Sequence, residues 1–402
     1  MTRPVCVCRG QNKEENQMKK LLALLLALAM VFSMAACTSS NEPAAEPTPA
    51  EGEGEGETAA AFSVAMITDY GDITDESFNQ ATYEACKAFS DANGLKFNYY
   101  KPAGDSSAER VAMSDAAIAD GFNVIVCPGF AFGEALAECS TTYPDVKFIA
   151  LDVSEADLSG LSAIPDNLFS AVYQEELCGF MAGYAAVALG YKHLGYLGGM
   201  AVPSVVRFGN GYIQGADLAA KELGKDGVTI EYVYGNQFFG DADITSYMDT
   251  WYQTTGVEVV FACGGGIWTS AAEAAAKVGG KVIGVDVDQS KTIDAYGAGM
   301  TVTSAMKGLK ATVNTLLTEL ILNDNWSAYG GQVMTLGLVS GTDVEANYTQ
   351  IPYDTTQWGE GFTQEDYVAL VGRMFSGEIS VDGSQDEFVP STITLNRYDN
   401  IK

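Results

Sequence analysis

Residues 63–100 read SVAMITDYGDITDESFNQATYEACKAFSDANGLKFNYY, and the rest of the chain follows their pattern. The apolar run Ser63 to Thr68 has the composition of a strand. Ser77 to Asn93 carries a helical period that stops at Asn93 and Gly94, and Lys96 to Tyr100 reads as a second strand. Short apolar or β-branched runs alternating with helical segments predict an α/β fold with a parallel sheet, because parallel neighbours need a crossover between them. The alternation continues through strands at Asn123 to Cys127 and Val146 to Leu151 and helices at Glu109 to Asp120 and Gly133 to Thr142. Together these units make one doubly wound lobe.

A second series predicts a second lobe of the same kind. Its strands are His193 to Leu197, Ile230 to Tyr234, Glu258 to Cys263 and Lys281 to Val285, with helices near Gly209 to Leu223, Ile244 to Thr254 and Thr269 to Lys277. Met300 to Ala305 then reads as a strand or crossover, Gly308 to Asn323 as an amphipathic helix and Val333 to Val339 as a further strand. The tail from about Thr349 carries Trp358 and a helix near Gln364 to Phe375, expected to pack on the second lobe. Two doubly wound parallel-sheet lobes joined by a multi-strand hinge follow, with 62–170 and 304–330 in the first and 171–303 and 331–402 in the second. In such an arrangement a ligand sits between the carboxyl ends of both sheets.

Upstream, Lys19 and Lys20 precede an apolar run from Leu21 to Phe32 and the segment Ser33-Met34-Ala35-Ala36-Cys37. The run is shorter than the about 20 residues that span a bilayer, and small residues lead into Cys37. This predicts a secretory signal ending in a lipobox, with Met18 as the start, Cys6 and Cys8 outside the protein, and Cys37 as the acylated first residue on the outer face of the cell membrane. Residues 38–61 are rich in Glu, Pro, Ala and Gly and read as a disordered acidic tether. A formal charge of −30 argues against nucleic acid as a partner. Cys86, Cys127, Cys139, Cys178 and Cys263 lack metal-ligand spacing, and their odd number argues against a disulfide framework. His193 is the only histidine, so the commonest general base is scarce. No cofactor or metal is expected.

Most of these strands end in polar or glycine-rich residues: Thr68-Asp69, Gly129-Phe130-Ala131-Phe132, Asp152, Gly264-Gly265-Gly266 and Asp286-Val287-Asp288. One aspartate at a strand end is usually a helix cap, but five such ends point to a shared cleft. At TDYGDITDESFNQ (68–80) the sequence resembles the basic membrane protein family, the purine-nucleoside-receptor lipoproteins of ABC importers. The resemblance continues through CPGF (127–130), GGMAVP (198–203), GGGIW (264–268), GVDVDQ (284–289) and TSAMK (303–307). It implies the type I periplasmic-binding-protein fold, a nucleoside ligand and permease subunits as partners. Val205-Val206-Arg207-Phe208 and the long tail depart from the family pattern.

The residues allow a matching chemistry. Ser77 and Gln80 fit a capping box that turns Phe78 and Asn79 toward the cleft. Phe78 and Phe208 can stack on a flat base, Asn79 and Asp152 can read its rim, Asp69 and Asp286 can accept from ribose hydroxyls, and Lys307 can donate. Phe130 or Phe132 and Trp268 are candidate walls, with Gly265 in the turn between them. Core packing is the competing reading for Phe78, Phe208 and Trp268, and a solvated helix end for Lys307. A nucleoside-processing enzyme is disfavoured, because Asp286 and Asp288 alternate on an extended strand and neither a Gly-x-Ser-x-Gly elbow nor a zinc-deaminase signature occurs. A sugar or autoinducer receptor on the same fold is the remaining alternative.

Overall fold

The computed structural model describes residues 62–69 and 71–402. The signal segment with Cys37 and the tether 38–61 lie outside the described residues. Ser63–Lys402 forms one compact unit built on two sheets. The first contains β1 (Ser63–Ile67), β2 (Lys96–Tyr100), β3 (Val124–Pro128), β4 (Lys147–Leu151) and β5 (Leu168–Tyr173), joined late by β11 (Gln332–Leu336) in the order β11-β5-β4-β3-β1-β2. All its pairings are parallel. Every residue of β1 and β3 is buried, which is why these strands read as unbroken apolar runs rather than as alternations. Helix α1 (Phe78–Ala92) covers one face, and α2 (Ser107–Ala119) and α3 (Gly133–Thr142) cover the other.

The second sheet runs β12-β10-β9-β8-β6-β7-β13, from β6 (His193–Gly198), β7 (Thr229–Tyr234), β8 (Val259–Cys263), β9 (Lys281–Asp286), β10 (Thr301–Lys307), β12 (Thr349–Gln350) and β13 (Thr394–Arg397). Only the short β12 is antiparallel. One face carries α4 (Glu175–Ala188) and α5 (Pro203–Leu223), and the other α6 (Ala242–Thr250), α7 (Trp268–Ala276) and the short α8 (Ser290–Ile293). Helices α4 and α5 meet backbone to backbone. A Cβ on Gly183 would stand 2.1 Å from the Tyr212 carbonyl oxygen, and one on Gly215 would stand 2.0 Å from that of Phe180, so glycine is needed on both helices. Among the described residues all five cysteines are buried and free.

The chain crosses between the lobes three times, after β5, after β10 and between β11 and β12. The crossings are laced together: Gln174 N–H donates to Leu336 O at 2.9 Å, Tyr348 N–H to Gly337 O at 3.0 Å and Gly308 N–H to Tyr348 O at 2.7 Å. Such a short ribbon is the natural hinge.

Three local expectations change. The lobe boundaries shift: Gln332–Leu336 pairs with β5 in the first sheet and not in the second lobe expected for 331–402, and β10 through Lys307 lies in the second sheet, although 304–330 is expected in the first lobe. Helix α5 begins at Pro203, six residues before Gly209, because proline at the first helical turn outweighs the β-branched Val205 and Val206. The helix expected over Gly308 to Asn323 is α-helical as α9 (Leu309–Leu317), packs on α1, and ends in a wider π turn over Thr318–Leu322. The tail lies on the second lobe: α10 (Gln364–Ser376) joins its core, and β13 extends the sheet beside β7.

Candidate functional site

A cavity of about 370 Å³ opens between the carboxyl ends of the two sheets, where crossing helices leave a gap at each topological switch. Asp69, Gly129, Phe130 and Asp152 reach it from the first sheet, and Gly264, Gly265 and Asp286 from the second. Phe78 and Asn79 line it from the first turn of α1. Of the two phenylalanines in the turn after β3, Phe130 faces the cavity, whereas Phe132 is fully buried in the core. Asp152 and Asp286, at corresponding strand ends, both hold left-handed backbone angles (φ 61° and 65°). Aspartate tolerates that region better than most residues, and such strain is characteristic of functional positions.

Lys307, the last residue of β10, is the electrostatic centre. Its Nζ contacts the Asp152 carboxylate, lies 3.0 Å from Glu175 Oε1 and 4.0 Å from Asp286 Oδ1, and stands 5.0 Å from the Phe78 ring centroid and 5.4 Å from that of Phe208. The side chain of Lys307 is only 2% exposed, so the solvated-helix-end reading does not hold. Arg207 Nε donates to Glu175 Oε2 at 2.6 Å. Three buried carboxylates therefore face two cations. Burial pushes Asp152 up to about 6 from its ordinary 3.8, against the pull of Lys307 and with the push of Glu175 and Asp286. Burial also raises Glu175, but Lys307 and Arg207 outweigh it and hold this carboxyl below its usual range. Lys307 is held above its usual range: burial lowers it, and the three carboxylates more than offset that.

The Asp152 shift has a signed consequence. Between about pH 4 and pH 6 the folded chain holds a proton that the unfolded chain has released, so stability declines as pH rises through that window. Denaturant titrations of wild type and Asp152→Asn at pH 4 and pH 7 should show wild type losing roughly 1–3 kcal/mol relative to the variant over that span. A pH-independent difference would contradict the assignment.

Two predicted residues stand outside the cavity. Ser77 does not cap α1; its Oγ donates to Asp286 Oδ2 at 2.6 Å, and the capping acceptor is Asp75, which receives the N–H groups of Ser77, Asn79 and Gln80 at 2.9–3.0 Å. Trp268 is 5% exposed, and its Nε1 donates to Asp75 O at 3.4 Å across the cleft. Phe208 touches the cavity but is 2% exposed and set edge-on against Phe261, so its ring belongs chiefly to the core. Aromatic lining that the sequence reading missed comes from Phe238 and Phe239, the latter 56% exposed at the mouth. They follow β7 only after Gly235-Asn236-Gln237, four and five residues beyond its last residue, so polarity at the strand end does not mark them. Glu175 was missed as well. Its signal is a pair of acids, Glu175 and Glu176, opening a segment otherwise apolar from Leu177 to Ala188.

Comparison with known proteins agrees with this geometry. The family model described as ABC transporter substrate-binding protein PnrA-like matches residues 62–347. The ABC transporter nucleoside-binding protein BmpA of Lactococcus lactis is 26% identical over 69% of this chain and 79% of its own. Basic membrane protein B of Borreliella burgdorferi is 28% identical over 72% of this chain and 82% of its own. An ABC transporter solute-binding protein from Conexibacter woesei superposes with a TM-score of 0.62 at 22% identity, covering 80% of this chain and 99% of that one. This likeness shows that the fold is that of a periplasmic-binding protein. With its family model spanning both lobes, the chain belongs to the PnrA-like ABC transporter substrate-binding proteins.

Proposed function

We propose that this protein captures a purine nucleoside outside the cell and delivers it to the permease of an ABC importer, held to the membrane by lipid on Cys37, without chemically altering its cargo. The observation that carries the nucleoside reading is the pairing of charge in the cavity. Its two lining cations are already engaged, Lys101 with Asp72 at 2.7 Å and Lys307 with Asp152, so a phosphate finds no uncommitted partner. The remaining lining joins aromatic faces from both lobes to carboxylates, which suits a flat base and hydroxyl donors. Phe78 from the first lobe and Phe238 or Phe239 from the second supply the stacking faces, with Phe208 behind them. Asp152 Oδ1 is buried without a protein donor and is suited to receive one from a ligand.

A thermal-shift panel of nucleosides, nucleoside monophosphates, pentoses and hexoses tests the ligand class. Nucleosides alone should raise the midpoint by several degrees; a hexose response without a nucleoside response would replace this reading with a sugar receptor. For the anchor, Cys37→Ser should move the protein from the membrane fraction to the medium. Retention of the variant on the membrane would refute lipidation at Cys37.

A further inference from the structure

Asp75, Glu76 and Ser77, just before α1, each reach the second lobe. Ser77 meets Asp286, a cavity residue, and Trp268 Nε1 donates at 3.4 Å to the backbone oxygen of Asp75, which also lines the cavity, whereas the third contact, Gln289 Nε2 donating to Glu76 O at 2.9 Å, has neither partner in the lining. Thr292 Oγ1 adds a longer contact to Glu76 Oε2 at 3.4 Å. Neither Trp268, Gln289 nor Thr292 lines the cavity. Glu76 holds a left-handed φ of 51°, a strained angle for a non-glycine residue, at the point where its carbonyl meets Gln289.

Gln289 is built for this contact. It is 1% exposed, its Oε1 accepts from Val285 N–H at 2.9 Å, and its own N–H donates to Ser304 Oγ at 3.1 Å. A backbone N–H must meet the amide oxygen, so the amide cannot flip and its NH₂ is fixed toward the opposite lobe. Gly284 leaves the room: a Cβ there would stand 2.7 Å from Gln289 Oε1 and 2.6 Å from Ser304 Oγ.

We propose that Gln289, assisted by Trp268, is a closure latch, a positioning residue that sets affinity by holding the two lobes together without touching the ligand. The inference rests on the reading that the cleft captures a small molecule by closing. If binding requires the closed form, apparent affinity scales with the population of that form, so weakening the latch lowers affinity for every ligand by the same factor. A cavity residue would instead alter the ranking of ligands.

The test uses Gln289→Glu, which keeps an acceptor for Val285 N–H but sets an oxygen against the Glu76 carbonyl, and the milder Trp268→Phe, which removes the indole donor and part of the ring. Calorimetry with guanosine, inosine and adenosine should show about tenfold weaker binding of all three by Gln289→Glu and a smaller uniform loss for Trp268→Phe. Solution scattering should give each ligand-free variant a larger radius of gyration than wild type, and equal radii at saturation. Unequal losses among the ligands, or wild-type affinity and radius in a folded variant, would overturn the latch. If Gln289→Glu fails to fold, Trp268→Phe decides by the same criteria. Should no nucleoside bind wild type, the nucleoside reading fails, while the ligand-free scattering still tests the latch.

Discussion

Lys307→Met is expected to lose ligand binding at neutral pH and about 3–5 kcal/mol of stability, the usual consequence of removing one partner from a buried charge cluster. The side chain of Lys307 is 2% exposed and faces Asp152, Glu175 and Asp286 together. Methionine fills similar space but removes the cation these carboxylates share, leaving Glu175 its ion pair with Arg207. The sign of the pH response distinguishes this from simple loss of packing. Without the ammonium, Asp152 and Asp286 are raised further and Glu175 loses part of what holds it low, so the folded state holds more protons and the deficit should shrink as pH falls from 7 to 5. Denaturant midpoints at those two pH values measure it. A midpoint equal to wild type at pH 7, or a deficit that grows in acid, would refute the central role given to this lysine.

The second large effect is expected at Asp286, where alanine should weaken nucleoside binding at least roughly 100-fold. Two charge-assisted hydrogen bonds accepted by this carboxylate, one from a ligand hydroxyl and one from Ser77, are worth about 1.5–3 kcal/mol each. The Ser77 bond, 2.6 Å long, also ties the lobes together, so its loss adds to the opening of the cleft. Alanine further lacks the side chain that helps aspartate tolerate the φ of 65° at this strand end. Phe78→Ala, by contrast, should cost roughly 1–3 kcal/mol, the value of one base–aromatic stack. Titration calorimetry of both variants checks the order. Asp286→Ala binding within threefold of wild type would remove this carboxylate from the site.

The sequence made the fold legible because parallel strands covered on both faces become unbroken apolar runs, and Ser63–Ile67 and Val124–Pro128 are buried throughout. Strand-end polarity pointed to Asp69, Phe130, Asp152, Gly265 and Asp286, which line the cavity. It failed where sequence neighbours do not reveal the partner. Ser77 looked like a helix cap, yet Asp75 does the capping, and only tertiary structure brings Asp286 to Ser77 across 209 residues. Helix α4 went unseen because Cys178 to Ala188 is buried on all sides and shows no amphipathic period, and Glu175 was lost with it. Phe208 combines both readings given for it: it lines the cavity, while Arg207 beside it turns to Glu175 and the phenyl ring packs on Phe261.

The measurement that tests the account most directly is a calorimetric titration of the mature chain with guanosine, paired with glucose and ribose under the same conditions. Saturable one-to-one binding of guanosine, no heat from either sugar, and recovery of unaltered guanosine afterwards is the predicted result. Saturation by a sugar with no response to guanosine, or recovery of the free base and ribose, would contradict it.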